Sequence, residues 1–340
     1  MNGTVGSAEE LQAAARGRLP QSVAVSARVT LTVHALNNEG SRTNATIPRQ
    51  VNAATAEGVV QVNAISGDTL KHAFADYLRG RAQDANDPSL PLCAPCRVGD
   101  ANRSNADPSF QRSAATQPST VEGTREVLRE LAQRCVVDDV AGLLVTIGNR
   151  NAPRPSRVHF GWQVGIPERV RTGHYTHVKL VPGAGAEESA GDIGGSNLGQ
   201  NIFTRPASSG DYALVVRAEL GRVSVHDLTR EPVVDEAARR RRVRATLEAL
   251  YHTIAAPDGA QMNTQLPHLH GARGAVSVSF SSVPASLVSA LQEDFVDQMR
   301  ATASAFGGRN GDQVVLGFDS VGALGDVLGS VANLFLPAEG

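Results

Sequence analysis

The feature that most restricts the fold is the alternating run SVAVSARVTLTVHAL at residues 22–36. Every second residue from Val23 to Ala35 is apolar, and most of the residues between them are more polar. A period of two places alternate side chains on opposite faces of an extended chain, so the run predicts a strand with one buried face. Such a strand needs a sheet around it, and 340 residues are enough for a sizeable core.

A second informative stretch, VNAISGDTLKHAF at residues 62–74, changes from a β-branched run to a helical pattern. The hydroxyl of Ser66, the amides of Gly67 and Asp68, and the ammonium of Lys71 together resemble an anion-binding helix start, suited to a phosphodiester. The other interpretation is an ordinary N-cap followed by a solvated lysine. The spacing of a nucleotide-binding P-loop is absent.

The rest of the chain predicts further strands and helices around one long insertion. Strands are predicted at residues 58–66, 136–148, 211–228 and 274–283, and helices at 67–82, 123–135, 235–254, 285–306 and 320–336. Residues 1–21 are small and polar, which predicts a flexible or loosely packed arm, and residues 37–50 predict a loop. The polar residues 84–120 are too many for a plain loop in a compact core, so they predict an inserted subdomain or a partly disordered excursion.

The charge distribution allows only a local site for a polyanion. The formal net charge is −2, so no overall basic excess indicates a nucleic-acid partner. Residues 149–182, however, carry six basic residues and one acidic residue. The arginine run at 239–242 lies on a predicted helix, where successive side chains point in different directions, so it predicts a solvated face that is partly paired with Glu236 and Glu248. Aromatic residues make up 4% of the chain, which argues against a surface of stacking platforms.

The three cysteines leave two interpretations open. Cys93 and Cys96 form a C-x-x-C pair, and with Cys135 they are candidate thiolate ligands of a structural zinc, with a histidine such as His72 as the fourth ligand. The alternative is three reduced, partly buried thiols without metal. A redox role is less favoured because the pair lies in a polar segment rather than at a strand-to-helix junction.

Two classes of protein are not favoured by the sequence. No stretch reaches the roughly 18 apolar residues of a membrane span, so we expect a soluble, cytoplasmic protein without a membrane partner. Carboxylates at 138–139 and histidines in PHLHG (267–271) are present, but no H-E-x-x-H or G-x-S-x-G pattern joins them. We therefore assign no catalytic residue and expect no enzyme.

A set of ordered segments carries a family resemblance. These are ARVTLTVHALNNEGSRTNATIPRQV, VNAISGDTLKHAFADYL, LCAPC, RCVVDDVAGLLV, GQNIFTRPASSGDYALVV and APDGAQMNTQLPHL, spread in this order over residues 22–285. Together they resemble a family of CRISPR-associated proteins, family seven of the Cas proteins, and within it the DevR branch. Members of this family are the backbone subunits of Cascade, the type I CRISPR effector. The resemblance rests on the order of these segments along the chain.

The resemblance implies an α+β fold with an RRM-like (ferredoxin-like) core, a finger-like insertion and a β-hairpin thumb. The division it implies is an N-terminal arm at 1–21, core at 22–82, finger-like insertion at 83–134, core at 135–148, thumb region at 149–210, and the remaining core with C-terminal helices at 211–340.

The resemblance also implies a function. Copies of such a subunit assemble into a filament with the other Cascade subunits, hold the CRISPR guide RNA by its backbone, and leave the bases free to pair with target DNA. The RNA contacts implied are Ser66, Gly67, Lys71 and His72 at the strand-to-helix junction, Asn44 with Arg42 and Arg49 in the preceding loop, and Gln200, Asn201 and Arg205 at the base of the thumb. For a common groove we expect Arg28 and the basic cluster at 150–179 to join them.

Two other functions stay open. Related type III subunits cut RNA with an aspartate in the loop after the first strand, but residues 37–57 contain no aspartate and Asn44 stands in that loop. A metal-dependent RNA nuclease of this kind is one alternative. A regulatory scaffold that binds proteins through its insertion is the other.

Overall fold

The computed structural model describes residues 7–180, 200–306 and 311–336. In chain order the elements are α1 (Ala8–Ala15), β1 (Ser22–His34), β2 (Asn38–Arg42), β3 (Ala45–Pro48), β4 (Gln50–Thr55), β5 (Gly58–Ile65), α2 (Gly67–Ala85), α3 (Ala94–Arg97), α4 (Pro108–Thr116), α5 (Val121–Arg134), α6 (Val136–Ala141), β6 (Leu143–Ile147), β7 (Arg150–Arg154), β8 (Val158–Phe160), β9 (Gln163–Leu180), β10 (Gln200–Ala218), α7 (Glu236–Ala255), β11 (His268–Ser279), α8 (Phe295–Phe306), β12 (Gln313–Phe318) and α9 (Val321–Asn333). Short 3-10 turns follow α3, at Arg103–Ala106, and β10, at Leu220–Arg222.

A large sheet organises the molecule around β1. Its main strand order is β12-β11-β1-β10-β9-β5-β4, and neighbours along this order are antiparallel. In the centre, Val25 of β1 lies opposite Val216 of β10 and Val276 of β11. The sheet and its helices confirm the predicted α+β class.

Helices α2, α7 and α9 cover the face of the sheet that carries the alternating apolar side chains of β1. Val23, Val25 and Leu31 are buried there against Phe74 of α2 and Leu250 of α7. Within the described ranges, no helix is both long enough and apolar enough to cross a membrane.

The prediction that β1 has only one buried face is wrong. Ser26 and Arg28, which point to the opposite face, are also buried, because residues 284–306 pack across it. The Ser26 hydroxyl donates to the Val288 carbonyl at 2.6 Å, and Arg28 donates to the Ala290 carbonyl at 2.9 Å. Polar side chains on this face bind a covering segment rather than water.

The long polar insertion folds around a small apolar cluster of its own. Phe110 of α4 and Leu131 of α5 are buried together with Val145 of β6 and Ala152 of β7. The single strand predicted at 136–148 is wrong: Val136–Ala141 forms α6, which packs in the main core, and only Leu143–Ile147 forms a strand, β6, which pairs with β7 in a separate two-stranded sheet. The predicted domain boundaries stay predictions.

Several local predictions also differ from the structure. The predicted arm contains α1, whose Leu11 is fully buried, because this helix packs on β12 and α9. The predicted loop at 37–50 forms β2 and β3 and the start of β4. The helix predicted from residue 285 begins at Phe295. Strands β9 and β10 form a long hairpin. Residues 183–197 between them, whose glycine-rich composition predicts a flexible tip, lie outside the described residues.

Asp139 on α6 connects the insertion to the core. Its carboxylate is fully buried and pairs with Arg154 of β7 and, at 2.8 Å, with Arg242 of α7. The Ser224 hydroxyl donates to the same carboxylate at 2.7 Å. Burial alone would raise the pKa of Asp139, but the two guanidinium groups hold it below the ordinary value. For Arg242 the predicted solvated face is therefore wrong, because its guanidinium is buried, whereas Arg240 pairs with Glu236 as predicted.

We predict that Asp139→Asn lowers the free energy of unfolding by about 3–5 kcal/mol, because the buried Arg242 loses its carboxylate partner and the buried Arg154 keeps only Asp227. Urea unfolding of the full chain measures this loss. Asp297→Asn is the matched control, since that carboxylate is 70% exposed beside Arg300 and its pair should contribute at most about 1 kcal/mol. Equal, small losses for both variants would contradict this role of Asp139.

Candidate nucleic-acid interface

Ser66 stands at the junction between β5 and α2 as a helix N-cap. Its hydroxyl accepts a hydrogen bond from the Thr69 amide at 3.2 Å, and its own amide donates to the Asn37 side chain at 2.9 Å. The residue is 4% exposed. Of the two interpretations of this stretch, the N-cap is therefore present, and a contact between Ser66 and RNA stays a prediction.

Gly67 lies where α2 approaches β8 very closely. A Cβ atom at this position would stand 2.7 Å from the carbonyl oxygen of Phe160. Only glycine fits without a backbone shift, so this residue is required for packing, whatever else the helix start binds.

Lys71, one turn into α2, faces a cleft between the core and the insertion. The cleft has a volume of about 420 Å³, and its lining includes Lys71, Arg103 of the insertion and Leu144 of β6. Burial and the nearby Arg103 charge lower the pKa of Lys71, although Asp68 opposes this. Among the described residues, neither Lys71 nor Arg103 forms a salt bridge, and Arg103 donates only to the Gly142 carbonyl at 2.9 Å. His72 beside Lys71 is exposed and lies 3.4 Å from Asp76.

Arg49 and Trp162 form a partly exposed pair next to the same junction. The Arg49 guanidinium lies 5.7 Å from the centre of the Trp162 ring, which is 40% exposed, and 3.8 Å from the Glu39 carboxylate. Trp162 directly precedes Gln163, which pairs with Ile65 at the end of β5. An exposed indole and a half-buried guanidinium therefore lie beside the start of α2.

A buried polar chain positions Arg49. Its backbone carbonyl accepts a hydrogen bond from the Asn63 side-chain amide at 3.2 Å. The side-chain oxygen of Asn63 accepts from the Tyr212 hydroxyl at 2.9 Å, and Tyr212 in turn bonds the His34 ring at 2.8 Å. Burial lowers the pKa of His34 to about 4, so this histidine is neutral at physiological pH and serves the structure.

The remaining RNA candidates lie on the β9–β10 hairpin and at the β2–β3 turn. The Asn44 carbonyl accepts from the Thr204 amide at 2.8 Å, which places Asn44 beside Arg205. The Arg205 guanidinium stacks 4.8 Å from the Phe203 ring centre and donates to Thr264 at 2.9 Å. Arg42 is exposed in the same turn, whereas Gln200 and Asn201 are described only as backbone of β10.

The expectation that Arg28 and the whole 150–179 cluster line a common groove is wrong. Arg28 is buried, and its guanidinium lies 3.0 Å from Glu293. Arg150, Arg154 and Arg157 are also buried; Arg150 donates to carbonyls of the insertion, and the other two pair with Asp227. The guanidinium groups of these arginines are held by partners inside the protein and are not exposed to a groove.

The three cysteines lie together, but His72 is not their neighbour. The sulfur atoms of Cys93, Cys96 and Cys135 and a carboxylate oxygen of Asp138 all lie within 4.8 Å of one another, and all four residues are buried. Hydrogen bonds from Cys135 and Cys96 lower the pKa of Cys93, whereas burial raises the pKa of Asp138 to about 6. The fourth member of the cluster is thus Asp138 and not the predicted His72.

Sequence reasoning missed three residues of these sites. Trp162, the one tryptophan of the chain, was visible inside the basic segment, and Asp138 follows Cys135 with the same spacing that separates Cys93 from Cys96. Both signals were present in the sequence. Arg103 gave no signal, because its position opposite Lys71 depends on how the insertion folds.

We predict that Gly67→Ala lowers the free energy of unfolding by about 1–3 kcal/mol, because the added methyl group collides with β8. Gly80→Ala on the same helix is the control: a Cβ atom there meets nothing within 4 Å, so this variant should gain about 1 kcal/mol from helix propensity. Urea unfolding distinguishes the two, and a stabilised Gly67→Ala variant would contradict the close packing.

Comparison with known proteins identifies the family. A family model described as "CRISPR-associated negative auto-regulator DevR/Csa2" matches residues 25–300. No curated protein matches the chain. Among solved structures, a chain of a "CRISPR RNA-guided surveillance complex, pre-nicking" is 16% identical, with 78% of this chain and 80% of that chain covered and a TM-score of 0.45. A chain of a "CRISPR RNA-guided surveillance complex" is 13% identical, with 86% and 87% covered and a TM-score of 0.42. The family match extends over most of the chain and confirms the resemblance found in the sequence: this protein belongs to the CRISPR-associated DevR/Csa2 family.

Proposed function

We propose that this chain is a backbone subunit of a type I CRISPR surveillance complex and that it binds guide RNA along the cleft between α2 and the insertion. The observation that carries the proposal is the placement of Lys71 and Arg103 on one cleft without an ion-paired carboxylate among the described residues. Burial is the main cause of the lowered pKa of Lys71, and the Arg103 charge lowers it further, because two cations that share a partly buried cleft repel each other. A phosphate group between them would relieve the repulsion.

The neighbouring side chains suit a single strand of RNA. Arg49 and Trp162 offer a cation and an exposed ring beside the helix start, and a base stacked on such a ring contributes about 1–3 kcal/mol. On the thumb hairpin, Arg205 and Phe203 form a second pair of this kind. Contacts of these types are tolerant of sequence, as a subunit that must accept any guide requires.

The strand order supports the finer prediction of an RRM-like core. Strands β11, β1, β10 and β9 lie side by side, and α2 follows β1 while α7 follows β10, which is the chain order of a ferredoxin-like unit. In an RRM the open face of the sheet stacks bases on aromatic side chains. Here residues 284–306 cover the second face. The RNA path that we propose therefore follows the junction and the hairpin rather than the sheet face.

We also propose that the protein binds RNA without cutting it. The segment after β1, residues 37–57, carries no aspartate, and Asn44 occupies its turn. Following the family resemblance, we propose that copies of this chain assemble side by side with other Cascade subunits and present the guide for pairing with target DNA.

We predict that Lys71→Glu combined with Arg103→Glu weakens binding of single-stranded RNA. The slope of log affinity against log salt should fall by about 0.7 for each phosphate that the variant no longer neutralises. Fluorescence anisotropy of a labelled RNA with the full chain, at several salt concentrations, measures both quantities. RNA incubated with the wild-type protein and a divalent metal should keep its length.

The matched control is Arg112→Glu combined with Arg300→Glu, which makes the same change in net charge at exposed or half-exposed positions away from the cleft. Equal losses of affinity in the two double variants would show that the loss comes from the change in net charge alone. This result would contradict the proposed site. Periodic cleavage of complementary RNA would contradict binding without catalysis.

A further inference from the structure

The cluster of three thiols and one carboxylate has the composition of a metal site. Cys93 and Cys96 form a C-x-x-C pair at the start of α3, and Cys135 and Asp138 form a C-x-x-D pair at the start of α6. Their four ligand atoms lie within 4.8 Å of one another. Two pairs with short internal spacing, separated by a longer stretch of chain, are typical of structural zinc sites.

The burial of the Asp138 carboxylate is not explained by its contacts within the protein. It is fully buried, and one carboxylate oxygen accepts a hydrogen bond from the Ser104 hydroxyl at 2.5 Å. The other oxygen has no hydrogen-bond partner among the described residues. A buried, unpartnered carboxylate oxygen is costly. Direct coordination of a cation would satisfy it.

The two helix starts also indicate that the cysteines have another role. Cys93 and Cys135 occupy the N-cap positions of α3 and α6, and neither makes a side-chain capping hydrogen bond. Serine, threonine, aspartate or asparagine would stabilise these positions better. Thiols at both caps, aimed at one point, favour ligation over capping.

We propose that Cys93, Cys96, Cys135 and Asp138 bind one structural zinc ion. Thiolates select a soft or borderline cation such as zinc over magnesium or calcium. Each of the four ligands contributes one negative charge, so the site has the same formal charge as a four-cysteine zinc site. Because four protein ligands complete a tetrahedral shell, no position stays open for a substrate, and the ion serves the structure.

The zinc would join two parts of the chain that are distant in sequence. One pair of ligands lies at the beginning of the insertion, and the other lies on α6, next to the Asp139 ion pairs. The Ser104 hydroxyl, on the turn that carries Arg103, would orient the Asp138 carboxylate as an outer-shell partner. The metal would thereby fix the insertion wall of the cleft that faces Lys71.

The test is metal analysis of the full chain purified without chelators, followed by replacement of the metal with cobalt. We expect one zinc per chain and, with cobalt, the absorption of a tetrahedral thiolate site. Ser104→Ala should weaken zinc affinity about 10- to 100-fold. Asp138→Ala should lose the metal, whereas Asp138→Cys, which restores a fourth soft ligand, should retain it and increase the thiolate-to-cobalt absorption.

Asp76→Ala, which removes an exposed carboxylate on α2, is the control and should bind zinc like the wild type. The proposal would be overturned by wild-type protein that contains no zinc and, after reduction, shows no thiolate-to-cobalt absorption. A Cys93–Cys96 disulfide in the protein as purified, with no zinc taken up after its reduction, would overturn it in favour of a redox pair. Equal retention of zinc by the wild type and Asp138→Ala would overturn the four-ligand site, because Asp138 would then not be a ligand. None of these results depends on RNA binding.

Discussion

One buried carboxylate, that of Asp139, holds the insertion to the core through its pairing with Arg154 and Arg242. These side chains belong to α6, to β7, which packs in the apolar cluster of the insertion, and to α7 of the main core, so a single charge connects three elements of the chain. Such a charge is stable in the interior only because both guanidinium groups and a serine hydroxyl surround it. With the insertion held there, Arg103 is placed across the cleft from Lys71.

Helix α6 has two consecutive aspartates with different surroundings. Successive helical residues point about 100° apart, so Asp139 faces arginines while Asp138 faces three thiols. One side of this short helix therefore holds the insertion through ion pairs, and the other offers ligands for a metal. Both connections act on the same wall of the cleft, and this links the proposed zinc site to the geometry of the proposed RNA site without making it part of the RNA contact.

Elements whose apolar residues recur with a clear period could be predicted from the sequence. The alternation of β1 and the spacing of α7 each identified the correct type of element, whereas β2 and β3 could not be predicted because their residues are polar and their pairing depends on a distant strand. The clearest failure concerns arginines. Arg150, Arg154 and Arg157 look like a basic patch in the sequence, but they are buried against carbonyls and carboxylates such as Asp227 that lie far away along the chain. The number of basic residues in one segment of the sequence cannot distinguish a binding surface from a set of arginines that have partners in the interior.

The proposed function requires a single RNA strand to pass between α2 and the insertion and then along the thumb hairpin. Ultraviolet cross-linking of copurified RNA to the assembled protein, followed by mass spectrometry of the linked peptides, locates that strand on the surface. We expect cross-links at Trp162 and in the peptides that contain Lys71, Arg103 and Phe203. Cross-links confined to the outer surfaces of α7 and α9, with none at the junction, would contradict this RNA path.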